Sequence, residues 1–186
     1  MSGWKVFLKK TWYFIAHDNS LLSWIVNFIL AFLIVKFIIY PLLALILGSS
    51  LPLVAVVSGS MDHVGMNYDT WWEDKGQWYV EHTITKEEFS QFSFTNGFQK
   101  GDVMVLGRAK DLKVGDVLVY QSTLAAYPII HRVVSVSDVP DYQVKGDHNG
   151  GTDPYAVSQE QVLGKALYRI PKIGWIKIWF SQLTGL

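Results

Sequence analysis

Leu51-Pro52-Leu53-Val54-Ala55-Val56-Val57-Ser58-Gly59-Ser60-Met61 is the stretch on which the fold turns. Its first part is a β-branched apolar run of the kind that fills a buried strand. The run stops at Ser58-Gly59-Ser60, a glycine-containing turn that suits the display of a hydroxyl. Upstream, residues 21–47 hold almost nothing but apolar side chains, and beyond residue 60 the composition is that of an ordinary soluble domain. This stretch therefore marks where a membrane-type segment gives way to a β domain.

Working back from it, residues 21–47 exceed the roughly 7–15 residues of a cleavable targeting core. As a helix they extend roughly 40 Å, more than the ~30 Å hydrocarbon core needs, so one pass is expected. Lys36 and Asn27 interrupt the apolar run, and Pro41 is expected to kink or end the helix, because it lacks an amide donor and crowds the preceding turn. Lys5, Lys9 and Lys10 precede the span, and no basic residue follows between Lys36 and Lys75. The positive-inside rule then puts the N-terminus in the cytoplasm and the domain outside. Residues 1–20 read as a cytoplasmic leader, in which Trp4, Trp12, Tyr13 and Phe14 suit either an interfacial amphipathic stretch or a plain polar-aromatic segment.

Working forward, further strands are expected at residues 102–106, 116–120, 129–136 and 142–145. Turn signals separate them: Lys113-Val114-Gly115-Asp116, Asp138-Val139-Pro140-Asp141 and the polar loop 146–154. The fold class expected is mostly β and antiparallel, over residues 48–186. An aromatic-rich insert at about 62–99 interrupts the pattern; it reads as a second small core or as a set of rings at the lipid headgroups. Within it Thr85-Lys86-Glu87-Glu88-Phe89 predicts a short helix starting at a capping residue. The apolar end, Ile170 to Phe180, predicts an edge strand or an interfacial segment anchored by Trp175 and Trp179.

Composition narrows the function classes. The 186 residues carry a formal net charge of +0, so no basic field argues for nucleic acid as a partner. Cysteine is absent, which excludes disulfides, thiolate metal sites and a cysteine nucleophile. Serine attacks only when a neighbouring base takes its proton, and Ser60 heads the candidates. Of the five histidines, His17 falls on the far side of the span, and His131 shares a strand face with Ile129, Val133 and Ser135, leaving Arg132 on the other. His63, His82 and His148 read as solvated loop residues. Asp147 and Asp153 share the 146–154 loop and either one suits the orientation of an imidazole. A rival reading gathers His131, Asp147, His148 and Asp153 around a metal, but no compact HxxxH or HExxH spacing is present.

Ser58-Gly59-Ser60-Met61, Lys100-Gly101-Asp102-Val103-Met104, Gly115-Asp116-Val117-Leu118-Val119-Tyr120, Ile130-His131-Arg132-Val133 and Lys145-Gly146-Asp147-His148-Asn149 occur in this order. Gly164-Lys165-Ala166 and Ile170-Pro171-Lys172-Ile173-Gly174 follow. Together they resemble the boxes of the signal peptidase I family over roughly residues 51–176, apart from the insert. The resemblance implies an antiparallel signal-peptidase-like β domain anchored by one N-terminal transmembrane helix in the cell membrane. Histidine rather than lysine before Arg132 resembles the archaeal and endoplasmic-reticulum type. The resemblance implies Ser60 as nucleophile, His131 as general base, Asp153 as the orienting acid with Asp147 in support, and an oxyanion hole from the Ser58 hydroxyl and the Ser60 amide. It also implies an acyl-enzyme mechanism that weakens in acid as His131 becomes charged, with no cofactor and no metal. Signal-peptide-bearing preproteins, the lipid bilayer and the secretion translocon are the expected partners. The competing reading is a catalytically silent, membrane-anchored β module that binds translocated chains. The sequence departs from the family's pattern at Asp62-His63, where Glu-Pro is usual, and at His148, where asparagine is common.

Overall fold

The computed structural model describes residues 3–137 and 141–184, so part of the turn expected at 138–141 lies outside the described residues. The chain divides into two compact units, Met1–Ile46 and Leu47–Leu186.

In the first unit, α1 (Gly3–His17) is followed by α2 (Leu21–Ile34). Ser20 caps α2 by accepting the Ser23 amide, and the Ser23 hydroxyl donates to Phe14 O at 2.6 Å. Asn27, the polar interruption of the apolar run, donates its side-chain amide to Ile15 O at 2.8 Å. Both side chains satisfy carbonyls at the end of α1 that have no partner within that helix. Of the kink or end expected at Pro41, the end does not occur. Leu21–Leu47 is one continuous helix of 27 residues, long and apolar enough to cross a membrane. Val35–Ile39 widens into a π turn, closed by the Tyr40 amide donating to Val35 O, before α3 (Tyr40–Leu47) resumes. The extra residue in that turn makes room one turn ahead of Pro41, where the proline ring would otherwise meet a carbonyl.

The second unit is built on one antiparallel seven-stranded sheet of order β1-β2-β7-β3-β4-β5-β6. Its strands are β1 (Leu53–Ala55), β2 (Val103–Gly107), β3 (Val117–Tyr120), β4 (Ile129–Val136), β5 (Asp141–Lys145), β6 (Val157–Ser158) and β7 (Val162–Ile170). The mostly β, antiparallel expectation holds. All four residues of β3 are buried, and strand alternation divides them between two cores. Val117 and Val119 pack with Val56, Met61, Met104 and Leu106. Leu118 and Tyr120 pack with Val133, Tyr142 and Val144. A register shift of β4 against β5 between Val133 and Ser135 ends the simple alternation expected for β4, and Val134 joins a third core.

That third core belongs to the insert. Trp71, Tyr79, Ile84 and Phe89 are buried with Val134, and Trp72, Trp78 and Phe92 lie against them. Thr85 caps α5 (Lys86–Ser90) with a full capping box to Glu88, as the sequence predicts. The longer helix α4 (Tyr68–Glu81) is not anticipated from the sequence. Its Tyr68, Trp71, Trp72, Trp78 and Tyr79 form one stripe at helical period, but interleaved acidic residues hold its average hydropathy near zero and hide the pattern.

The C-terminal segment is a helix, α6 (Trp175–Thr184), rather than an edge strand. Pro171 has no amide to extend the β7 ladder, and Lys172 turns the chain with a positive φ of 62°. The Lys172 amide donates to Asp102 Oδ1 at 3.0 Å, and Ile178 is buried while Ile176, Trp179, Phe180 and Leu183 are exposed.

Candidate active site

β1 delivers the chain to the turn at Ser58-Gly59-Ser60. The Ser58 and Ser60 hydroxyl oxygens stand 3.2 Å apart, Ser58 exposed and Ser60 partly buried. The turn is fastened to the glycine-aspartate loop by its backbone: the His148 amide donates to Ser60 O at 2.9 Å. Gly146 makes this approach feasible, because a Cβ there would sit 2.8 Å from Ser60 O.

β4 supplies His131, which pairs across the sheet with Leu118. Its side chain is buried, and its Nδ1 lies 2.7 Å from Asp153 Oδ2. Asp153 is held by its backbone, whose amide donates to Val144 O, and by the Gln143 side chain, which donates to Asp153 O. The Tyr120 hydroxyl donates to the same Oδ2 at 2.5 Å. Burial pushes the Asp153 carboxyl up, but the hydrogen bonds from His131 and Tyr120 outweigh it, and the group sits below the usual aspartate range. With Nδ1 taken by the carboxylate, Nε2 is the imidazole nitrogen left to exchange a proton.

Ser58, Ser60 and His131 line one cleft of about 370 Å³. Val54, Ala55 and Val57 form one apolar wall, and Tyr127, Pro128 and Ile129 form part of the other. A larger hollow of about 680 Å³ lies between the insert and β4, lined by Trp78, His82, Phe92, Val134 and Gln143. It contains no serine beside a carboxylate-paired histidine, so its size does not make it the reactive site.

Asp147 faces a different neighbourhood from Asp153. It is fully buried and accepts from Arg132 Nε at 2.9 Å and Nη2 at 2.8 Å, from the Tyr79 hydroxyl at 3.0 Å and from His63 Nε2 at 3.2 Å. Arg132 spends its other N–H groups on Ser93 O, Gly115 O and Phe94 O, and its guanidinium lies 4.7 Å from the Phe89 ring centre. All five guanidinium donors are thereby used. Burial alone would raise the Asp147 carboxyl; Arg132, with help from His63, reverses this and holds it far below the usual range. Beside it Lys145 is buried over the Tyr79 and Trp78 rings, with no carboxylate among the described residues in salt-bridge contact, and burial pulls its ammonium down to about 8.

The reading of His63 as a solvated loop residue is overturned. It is 2% exposed, its ring stacked on Trp71 with centres 3.9 Å apart. Its role in the Asp147 network is invisible in sequence, because Trp71 and Asp147 reach it only through the fold. His82 and His148 are exposed. The metal reading finds no geometric support: among the described residues no three His, Asp or Glu side chains converge as ligands. Tyr120 went unremarked as a site residue, although its place at the end of the Gly115–Tyr120 box was the available signal.

No protein-family model matches the chain. It is similar to proteins named signal peptidase complex catalytic subunit SEC11. The one from Lachancea thermotolerans is 35% identical over 104 residues, covering 48% of this chain and 62% of the relative. Those from Plasmodium falciparum (28% over 172 residues, 87% of this chain and 75% of the relative) and Scheffersomyces stipitis (27% over 158 residues, 78% and 75%) match over longer stretches. The chain thus spans less than two thirds of the Lachancea relative's length and three quarters of the other two. Relatives and ordered boxes agree: over most of its length the chain is similar to signal peptidase complex catalytic subunits.

Proposed function

We propose that this chain is a membrane-anchored serine endopeptidase that removes N-terminal signal peptides from preproteins. The observation that carries the reading is the His131–Asp153 pair at 2.7 Å, with His131, Ser60 and Ser58 lining one apolar cleft. That is a base oriented by a carboxylate at the same hollow as a hydroxyl nucleophile.

In the proposed reaction His131 Nε2 takes the Ser60 proton as Oγ attacks the scissile carbonyl. The tetrahedral oxyanion is met by the Ser58 hydroxyl and the Ser60 amide. The C–N bond breaks, His131 gives its proton to the leaving amine, and an acyl-enzyme remains on Ser60. Water then attacks with His131 as base, releasing the carboxylate and restoring the serine. Asp153 holds the imidazole in one tautomer and stabilises the imidazolium throughout.

Small apolar walls beside Ser60 suit an extended substrate end with small side chains, added as a strand beside β1. Leu47 closes the apolar helix a short stretch of chain before Ser60. A single pass with Lys5, Lys9 and Lys10 on the cytoplasmic side would put the cleft where a signal peptide's cleavage site leaves the bilayer. Work inside a larger complex, as the relatives' names say of those proteins, belongs to the same proposal, as does contact with the translocon.

The test is cleavage of a secretory preprotein by the full chain in detergent-solubilised membranes, wild type against Ser60→Ala. A single cut after a small residue, lost in the variant, is the expected result. Equal cutting by both, or cutting of soluble loops as readily as signal peptides, overturns it.

A further inference from the structure

We propose that Tyr120 is a positioning residue for the catalytic base, acting through Asp153. The inference rests on the Ser60–His131–Asp153 reading and extends it by one residue. Asp153 Oδ2 accepts two hydrogen bonds, from His131 Nδ1 at 2.7 Å and from the Tyr120 hydroxyl at 2.5 Å. The two donors come from adjacent strands whose register is fixed, Leu118 opposite His131 and Tyr120 opposite Ile129. Tyr120 itself is 4% exposed and packed in the core with Leu118 and Val133. Its ring therefore cannot follow the carboxylate if Asp153 turns; the carboxylate is held to the ring.

Two consequences follow for the base. A carboxylate held by one donor can rotate about its last torsion and carry the imidazole with it. A second donor from a rigid strand removes that freedom and keeps Nε2 aimed at the cleft. Sharing one oxygen between two donors also draws charge from the bond to His131, which restrains the pull of Asp153 on the imidazolium. Tyr120 remains a donor over the whole working range, since burial, then its bond and proximity to Asp153, push its hydroxyl far above the ordinary tyrosine range. The ionisable groups around the pair are few: Asp153 from its loop, Tyr120 from β3, and Tyr155 and Tyr127 at the exposed rims of the two adjoining hollows. No second carboxylate or ammonium among the described residues lines those hollows to obscure the effect.

The experiment compares wild type, Tyr120→Phe, Asp153→Asn and Ser60→Ala, each as the full chain in detergent micelles. It follows preprotein cleavage against pH and the imidazole proton and nitrogen signals of histidine-labelled protein. The phenyl ring keeps the packing and loses only the donor. Expected for Tyr120→Phe is a kcat lowered roughly tenfold, an unchanged KM, an acid limb moved to higher pH, and a shifted His131 Nδ1 proton signal. Wild-type kcat, acid limb and His131 signal in Tyr120→Phe overturn the proposal. A drop in kcat that comes with a matching rise in KM or a lowered melting temperature, and no change in the His131 signal, also overturns it, because that is a merely structural loss. If Ser60→Ala still cleaves, the catalytic reading itself fails and the role of Tyr120 in catalysis fails with it. The His131 signal, which needs no activity, then reports separately whether the hydrogen-bonded chain through Asp153 exists.

Discussion

His131 and Arg132 are neighbours on β4, each paired with an aspartate from the same loop, and the two pairs do opposite things. Asp153 accepts from a histidine and a tyrosine; so does Asp147, from His63 and Tyr79, but with a guanidinium added and no exposure to solvent. The single added cation decides the outcome. Asp147 with Arg132 is a saturated network whose partners, Gly115 apart, are Ser93, Phe94, Phe89, Tyr79 and His63 of the insert, so it fastens that layer to the sheet. Asp153 has no permanent cation against it among the described residues and partly faces the surface; in the proposed reaction the positive charge it meets is the one His131 acquires during proton transfer. On the proposed mechanism, an aspartate with a fixed counter-charge serves stability, and one waiting for a transient counter-charge serves chemistry.

The largest effect that separates them is on rate. Asp153→Asn keeps the size of the side chain and loses the charge that fixes the imidazole tautomer. A kcat lowered by roughly 10³–10⁴-fold, with the melting temperature nearly unchanged, is the expected outcome of cleavage assays and thermal melts run in parallel. A large fall in melting temperature would erase the distinction between the two sites.

Next in size is the loss of stability on the other side. Asp147→Ala strands a fully buried guanidinium and should cost about 3–5 kcal/mol, read as a lowered melting temperature and as faster proteolysis within the insert. The same charge can be removed by acid in the wild type. Because the Asp147 carboxyl is held below its unfolded value, its contribution is complete above about pH 4 and is lost as pH falls toward the folded value. Wild-type melting temperature should therefore fall steeply below about pH 4, and the fall should be shallower in Asp147→Ala. Asp153 contributes with the same sign but less, being partly solvent-screened.

The strands are legible in the sequence because their apolar runs and turn residues are local signals, and Ser60 and His131 stand out as candidates for the same reason. The sequence left Asp147 and Asp153 interchangeable: both sit in one turn-rich loop, and only the register of β4 against β5, Arg132 opposite Lys145, decides which carboxylate meets which face. The burial of His63 is not legible in the sequence because it sits in a loop between Asp62 and Gly65, while its neighbours in space are the distant Trp71 and Asp147. That the helix runs on past Pro41 is not legible in the sequence, because a π turn can absorb a proline and nothing in composition announces one. α4 hid its helical stripe behind acidic residues that occupy its exposed face.

The finest cut through the comparison is a pair of matched deletions. Tyr79 and Tyr120 each donate one hydroxyl to one aspartate, at 3.0 and 2.5 Å. Tyr79→Phe leaves Asp147 with Arg132 and His63, so the charge stays paired and only about 1 kcal/mol of stability should go. Its kcat and its pH profile should match wild type, since Asp147 makes no bond to His131. Tyr120→Phe should show the reverse, a kinetic change with little change in melting. If Tyr79→Phe slowed turnover as much as Tyr120→Phe, the two aspartates would be coupled through β4, and the sheet would transmit strain from Arg132 to His131 rather than keep the two faces apart.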